Sequence, residues 1–269
     1  MKPRSLYVMD VRRHVLRAAM LASTAFLMLA SPTTAQTQSD QPFTVEADEL
    51  LEWNQKAGTY SAKGNAIAKQ GERKIEADQL TASYDPESES RKINVIVATG
   101  NVDYTDGTST ARGARLTYDL GSESYIVEGK NAYVTGPNGT MRATTSIDLQ
   151  AADPKNQIIT AIGAAQYVDS EGQVVEGETI IARLDDAGAL DTLDATDRVK
   201  LVTIEGQIAT GDNLAYDGKT EKALLTGNVE INDAGNVMYG SRAEVDFETG
   251  ISRILSGGSG KRVSGTLLP

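Results

Sequence analysis

Seven segments of this chain repeat one pattern: an apolar residue, any residue, a large ring or aliphatic side chain, then a carboxylate or amide. They are Leu51-x-Trp53-Asn54, Ala82-x-Tyr84-Asp85, Leu116-x-Tyr118-Asp119, Ile147-x-Leu149-Gln150, Ala182-x-Leu184-Asp185, Leu214-x-Tyr216-Asp217 and Val245-x-Phe247-Glu248. From Trp53 to Phe247 the steps are 31, 34, 31, 35, 32 and 31 residues. A period of that length means one supersecondary unit copied in tandem, each copy needing its neighbours to bury its apolar face.

A second series interleaves with the first. It reads apolar-x-Gly-Asn-apolar-x-apolar and is clearest at Ala98 to Tyr104 and at Leu225 to Ile231. Weaker copies run Ala62 to Ala68, Glu128 to Val134, Ala161 to Tyr167 and Ala195 to Leu201. The residues that alternate after the Gly-Asn step are Ala66/Ala68, Val102/Tyr104, Ala132/Val134, Ala165/Tyr167, Val199/Leu201 and Val229/Ile231, and mostly polar residues separate them. Strict alternation belongs to a strand with one buried face, and helical spacing fits none of these segments.

Turn residues fill the gaps: Asp85-Pro86, Asp106-Gly107, Gly136-Pro137-Asn138-Gly139, Asp217-Gly218 and Asp233-Ala234-Gly235. They supply positive φ or side-chain-to-backbone turn bonds. Each repeat is therefore two strands joined by tight turns, and the chain an antiparallel meander of roughly 13 strands. The Gly-Asn step falls midway along a strand, where glycine marks a bend or bulge. Repeated in register, the bends fold one long sheet into two facing layers. The predicted class is all-β, an antiparallel tandem-hairpin β-jelly-roll forming a V-shaped, open-ended roll.

The termini read differently. Arg12, Arg13 and Arg17, then the apolar stretch Ala18 to Ala30 and the small residues Thr33-x-Ala35, make residues 1–35 an expected cleaved export signal. Residues 36–42 read as a flexible lead-in, 43–255 as one continuous β domain, and 256–269, with Ser256-Gly257-Gly258-Ser259-Gly260, as a hinge and C-terminal tail. Without residues 1–35 the chain keeps 21 Lys/Arg against 36 Asp/Glu, a formal charge of about −15. That charge argues against nucleic acid, whose phosphates need a basic footprint. There is no cysteine, and the one histidine, His14, lies in the expected signal. Cysteine-based metal sites and imidazole chemistry are excluded from the exported chain. No cofactor is expected and no catalytic residue is assigned.

Many inward positions are Ala or Gly, and aromatic residues are scarce. Two readings stand: an apolar trough that holds a guest, or a thin sandwich that closes on itself. Tyr84, Tyr118 and Tyr216 either cap the roll with their hydroxyls in water or line the mouth of the trough.

The repeated Ala-Asp-x-Leu…Tyr-Asp and Gly-Asn-Val elements, the export signal and the ending Lys261-Arg262-Val263-Ser264-Gly265-x-Leu-Leu-Pro269 resemble the OstA-like family of periplasmic lipopolysaccharide-transport proteins, the LptA type. The resemblance spans about residues 43–269 and rests on the periodic combination. It implies a non-enzymatic periplasmic carrier that moves lipopolysaccharide from inner to outer membrane. The acyl chains would sit in the groove and the sugars project outward. On that reading the lipid-lining residues are Ile96, Val102, Tyr104, Leu116, Tyr118, Val134, Tyr167, Leu201, Leu214, Tyr216, Val229 and Ile231. The implied partners are lipopolysaccharide, an inner-membrane export complex and an outer-membrane translocon of the same β fold, and further copies of the chain joined head to tail. Free terminal strands are templates for such pairing, and contacts that do not close give filaments.

An inner-membrane-anchored sibling of the same export system is opposed by the cleavable signal, and a translocon module by the lack of a long C-terminal barrel region. A β-helix enzyme or adhesin acting on polysaccharide would show coils of about 20–25 residues. Asp185, Asp186, Asp191, Asp194 and Asp197 lack calcium-roll or EF-hand spacing and read as a solvated face.

Overall fold

The computed structural model describes residues 41–153, 155–257 and 262–268, all within the single contact unit Gln38–Pro269. The export signal and most of the lead-in lie outside the described residues. Among those described, every regular element is a strand and all pairings are antiparallel.

The first strands are β1 (Thr44–Glu46), β2 (Leu50–Asn54), β3 (Thr59–Gln70), β4 (Arg73–Tyr84), β5 (Ile93–Thr105) and β6 (Thr110–Asp119). Four short ones follow: β7 (Ser124–Glu128), β8 (Ala132–Gly136), β9 (Gly139–Ala143) and β10 (Ser146–Gln150). Then come β11 (Gln157–Asp169), β12 (Val174–Leu184), β13 (Leu190–Val202), β14 (Ile208–Asp217), β15 (Lys222–Asp233), β16 (Asn236–Asp246), β17 (Ile251–Leu255) and β18 (Ser264–Thr266). The count is 18 where the repeats predicted roughly 13. The difference has a simple cause. Each long strand crosses both layers, and four crossings are broken at the bend into half-strands: β1 with β2, β7 with β8, β9 with β10, and β17 with β18. Thus β3 pairs with β2 in one layer and β1 in the other, and β16 pairs with β17 and β18 in the same way. Counted as crossings there are fourteen, stacked over about 60 Å at the usual strand spacing. The sheet also runs past residue 255, since β18 closes onto β16.

The bend is a column of bulges. Gly64-Asn65 opposes Asp78 alone, Gly100-Asn101 opposes Ala114, Gly163-Ala164 opposes Glu178, and Asp197-Arg198 opposes Asp212. Both residues of each pair that carries Asn have positive φ: +82° and +43° at Gly64 and Asn65, +78° and +46° at Gly100 and Asn101. Glycine takes that conformation freely and Asn tolerates it, which is why these two residues recur mid-strand. The Asn amide then reaches the acid of the preceding crossing. Asn65 Nδ2 donates to Asp48 at 2.7 Å, Asn101 Nδ2 to both oxygens of Asp78 at 3.0 and 3.1 Å, and Asn228 Nδ2 to Asp212 at 3.0 Å. At the fourth bend Arg198 reaches Glu178 at 3.1 Å. The Ala-Asp-x-Leu and Gly-Asn-Val elements are thus the two halves of one clasp.

Side-chain size is graded from bend to opening. Among the described residues, fifteen of the 39 buried apolar side chains are alanine, and several flank the bulges, where the layers converge. At Gly113 a Cβ would stand 2.5 Å from Val127 Cγ2, so nothing larger than glycine fits. Rings gather at the opposite edge. The result is a wedge-shaped core, narrow at the hinge line and wide where the hairpin turns face each other.

Candidate functional site

The ring-then-acid series marks that wide edge. Its ring or aliphatic member lies at or beside a strand end, and at four of the seven copies its acid folds the following turn. Asp85 Oδ1 accepts from the Glu87 amide, Asp119 Oδ1 from Ser122, Asp185 Oδ1 from Ala187 and Ala189, and Asp217 Oδ1 from Lys219 and Thr220. The Ser122 amide holds the Asp119 carboxyl below its ordinary range. A carboxylate bonded to several amides favours its charged form.

The twelve sequence-predicted lining residues all face the interior, eleven of them buried and Tyr216 half-buried. They do not line one continuous trough. Toward β1 and β2 lies a cavity of about 420 Å³, walled by Phe43, Leu51, Trp53, Tyr60, Ala82, Ile93 and Ile96. Its aromatic wall is ordered: Trp53 stacks on Tyr60 at 5.5 Å, Tyr60 meets Tyr84 at 5.4 Å, and the Trp53 indole donates to the Tyr84 hydroxyl at 2.8 Å. Beyond β7 a second set of spaces opens. One of about 110 Å³ is walled by Tyr125, Val134, Met141, Ile147, Leu149 and Leu184. Another of about 60 Å³ lies among Leu193, Leu201, Leu214, Tyr216 and Phe247. Both share Tyr167 with a wider opening of about 470 Å³.

That opening is acidic. Asp169, Glu171, Glu205, Glu221, Asp233 and Asp246 line it with no Lys or Arg among its walls. Asp246 titrates at about 2, held down first by the Thr249 amide and hydroxyl and then by Lys222 at 3.1 Å. Burial raises the Tyr167 and Tyr216 hydroxyls above their ordinary range, so both are neutral donors at physiological pH. Tyr167 Oη donates to the Asn138 carbonyl at 2.7 Å.

Of the predicted residues, then, Ile96 lines the first cavity, and Val134, Tyr167, Leu201, Leu214 and Tyr216 line the second set. Val102, Tyr104, Leu116, Tyr118, Val229 and Ile231 are closed core. The interior is therefore open in parts of the roll and packed shut in the part between them. Sequence reasoning passed over Trp53, Tyr60, Ala82, Ile93, Leu149 and Leu184 as lining residues. The signal for Trp53, Leu149 and Leu184 was in hand, since each holds the ring position of the first series.

Three contacts tie the layers across the wide edge: Arg73 to Glu123 at 2.6 Å, Asn138 Nδ2 to the Gly188 carbonyl at 2.5 Å, and Ser252 Oγ to Gln207 Oε1 at 2.5 Å. The two ends of the stack are open edges. Leu50, Leu51 and Trp53 are exposed at one, Ile251, Leu255, Leu267 and Leu268 at the other. Among the described residues no group of His, Cys, Asp and Glu is arranged to hold a metal ion.

A family model described as "LptA/(LptD N-terminal domain) LPS transport protein" matches residues 44–148 and 172–251, the two halves of this roll. The chain belongs to that family. It is a family of lipopolysaccharide-transport proteins, not of enzymes. The curated "LPS-assembly protein LptD" of Vibrio cholerae serotype O1 is 35% identical over 88 residues, 33% of this chain. The match spans only 10% of that relative's length. Among solved structures, "LptH, the LptA homologous periplasmic component of the conserved lipopolysaccharide transport device from Pseudomonas aeruginosa" aligns over 86% of this chain and 99% of its own at 12% identity, with a TM-score of 0.21. At that score the fold assignment of this family member rests on its own strand pairings.

Proposed function

We propose that this LptA/LptD_N family member is a periplasmic carrier that shields lipopolysaccharide acyl chains between its two layers. It would work as one link of a bridge from inner to outer membrane. The observation that carries the reading is the apolar space inside the wedge, open to solvent along the edge where the rings gather. Each methylene removed from water contributes about 0.8 kcal/mol, so a single twelve-carbon chain gains on the order of 9 kcal/mol without any catalytic group. Sugars and phosphates stay outside, because the wide edge is a row of turns rather than a sealed wall.

The end edges supply the second half of the reading. Half-strands β2 and β17 each present unpaired backbone groups beside exposed apolar side chains, and such edges pair with matching ones. Copies joined head to tail give an open filament, with related β folds of the inner-membrane export complex and the outer-membrane translocon at its two ends. Cleavage of the export signal would leave a chain beginning near Gln36.

One observation favours a second reading. The curated relative is an LptD, so this roll can serve as the receiving module of an outer-membrane translocon. Native mass spectrometry of protein drawn from the cell envelope tests the carrier directly. The expected species is the processed chain with a glycolipid adduct, free of any barrel protein. A bare polypeptide mass under conditions that keep glycolipids bound contradicts it. Recovery only with an outer-membrane barrel supports the second reading.

A further inference from the structure

The two sets of cavities are separated by a wall drawn from three adjacent strands, β5, β6 and β7. Tyr104 on β5 and Tyr118 on β6 meet at 5.7 Å between ring centroids, and Tyr104 meets Tyr125 on β7 at 5.3 Å. All three are at most 4% exposed, as are Val102 and Leu116 beside them. None of the four inter-layer cavities includes Val102, Tyr104, Leu116 or Tyr118; Ile96 faces the space on one side and Tyr125 the space on the other. Outside this wall lies Arg73, its guanidinium 5.8 Å from the Tyr118 ring centre and paired with Glu123 of the facing layer at 2.6 Å. The cluster therefore fills the wedge from hinge line to wide edge.

We propose that Tyr104, Tyr118 and Tyr125, strapped by the Arg73–Glu123 pair, divide the interior into two separate acyl-binding compartments, and that this wall limits how far a bound chain extends. The first compartment, between the Trp53–Tyr60 wall and Ile96, is a site for one fatty acyl chain. The second, from Tyr125 to Phe247, takes others under an acidic rim. The inference rests on the carrier reading above and sharpens it: a chain passing along the roll must displace the tyrosine wall, whose rings are held by tilted ring-to-ring contacts and by a cation over Tyr118. Three buried phenols touching one another resist ionisation, and burial raises all three above the ordinary tyrosine range, with mutual charge repulsion adding to it at Tyr104. The wall is accordingly neutral and apolar on both faces at any physiological pH.

The test uses the absence of native cysteine. Arg91, exposed at the mouth of the first compartment, is replaced by Arg91→Cys in the full-length protein. The thiol is alkylated with a sixteen-carbon chain ending in a diazirine, and photolysis products are mapped by peptide mass spectrometry. The expected adducts fall on Leu80, Ala82 and Ile96, with none at Val127, Ile147 or Leu149. Adducts at Ile147 or Leu149 in this otherwise native protein overturn the wall. No adduct on any inward residue sinks the carrier reading itself, which keeps the two failures distinct. Adding Arg73→Ala, which leaves the tyrosine rings in place, is expected to carry at least a tenth of the adducts past the wall. An unchanged map in that variant removes Arg73 from the device.

Discussion

The bend clasps give the sharpest quantitative prediction, because the structure offers both a perturbation and its mirror image. Asn101 sits at φ +46° and gives two amide bonds to Asp78. Asn101→Ala removes both bonds and leaves a side chain poorly suited to that backbone. The lost bonds, exposed to solvent, account for about 0.5–1 kcal/mol. Holding alanine rather than asparagine in the left-handed region adds about 1 kcal/mol. The sum, roughly 1.5–2 kcal/mol, corresponds to a fall in Tm of about 3–8 °C for a domain of this size. The denaturant slope should not change, because the same surface is exposed on unfolding. Ala164 runs the experiment backwards. It holds φ +40° without a clasping side chain and borders an open groove of about 400 Å³. Ala164→Asn should therefore raise stability by about 0.5–1 kcal/mol. Urea unfolding followed by circular dichroism reads both variants. If Asn101→Ala unfolds at the wild-type midpoint, or Ala164→Asn loses stability, the bend is not fixed by left-handed asparagine and the reasoning fails.

Other outcomes follow from the same structure. Leu225→Ala, fully buried and lining none of the cavities described above, should cost about 2–5 kcal/mol while leaving acyl labelling of the folded protein unchanged; a melting curve and a labelling gel check this together. Acid should loosen the roll in a defined window. Folded Asp246 titrates at about 2 and Asp119 below its ordinary 3.8, so the unfolded chain binds more protons there. Their stabilisation is complete above about pH 5 and is lost as pH falls toward about 2, and Asp246→Asn should flatten that decline in a Tm-against-pH series. At the open ends, Leu51→Lys should leave the fold intact but shift small-angle scattering at high concentration toward single particles. Equal elongation of both proteins counts against pairing through the β2 edge.

Much of this architecture is legible before any coordinates, and for a physical reason. Tandem hairpins write their geometry twice: Gly-Asn occurs where an extra residue must enter a strand at positive φ, and ring-then-acid occurs where a strand ends and a turn needs its amides bonded. The alternation around Val102/Tyr104 and Val229/Ile231 gives the inward face correctly. What stayed hidden is long-range. The broken crossings at β7/β8 and β9/β10 depend on how the bend is relieved in the middle of the stack. The Arg73–Glu123, Asn138–Gly188 and Gln207–Ser252 ties join residues 50, 50 and 45 positions apart, with no local signature. Inward direction, moreover, does not separate lining from filling. Leu116 and Leu201 obey the same alternation, yet one is sealed beneath tyrosines and the other borders a cavity. That distinction depends on which rings the neighbouring crossings place beside each residue: Tyr104, Tyr118 and Tyr125 at Leu116, and Tyr167 and Tyr216 around the space beside Leu201.

The claim at the centre is that acyl chains occupy the space between the layers, and adjacent residues on one strand test it. Leu184 borders the inner cavity, whereas its neighbour Arg183 points outward and pairs with Asp194 at 2.8 Å. A photo-crosslinking amino acid is placed at each position in turn, and the protein is irradiated with purified lipopolysaccharide. A lipopolysaccharide adduct at position 184, at least tenfold above that at 183, is the predicted result. Equal adducts at the two positions, or more at 183, would mean that the lipid rides on the outer surface and that the wedge is only a core.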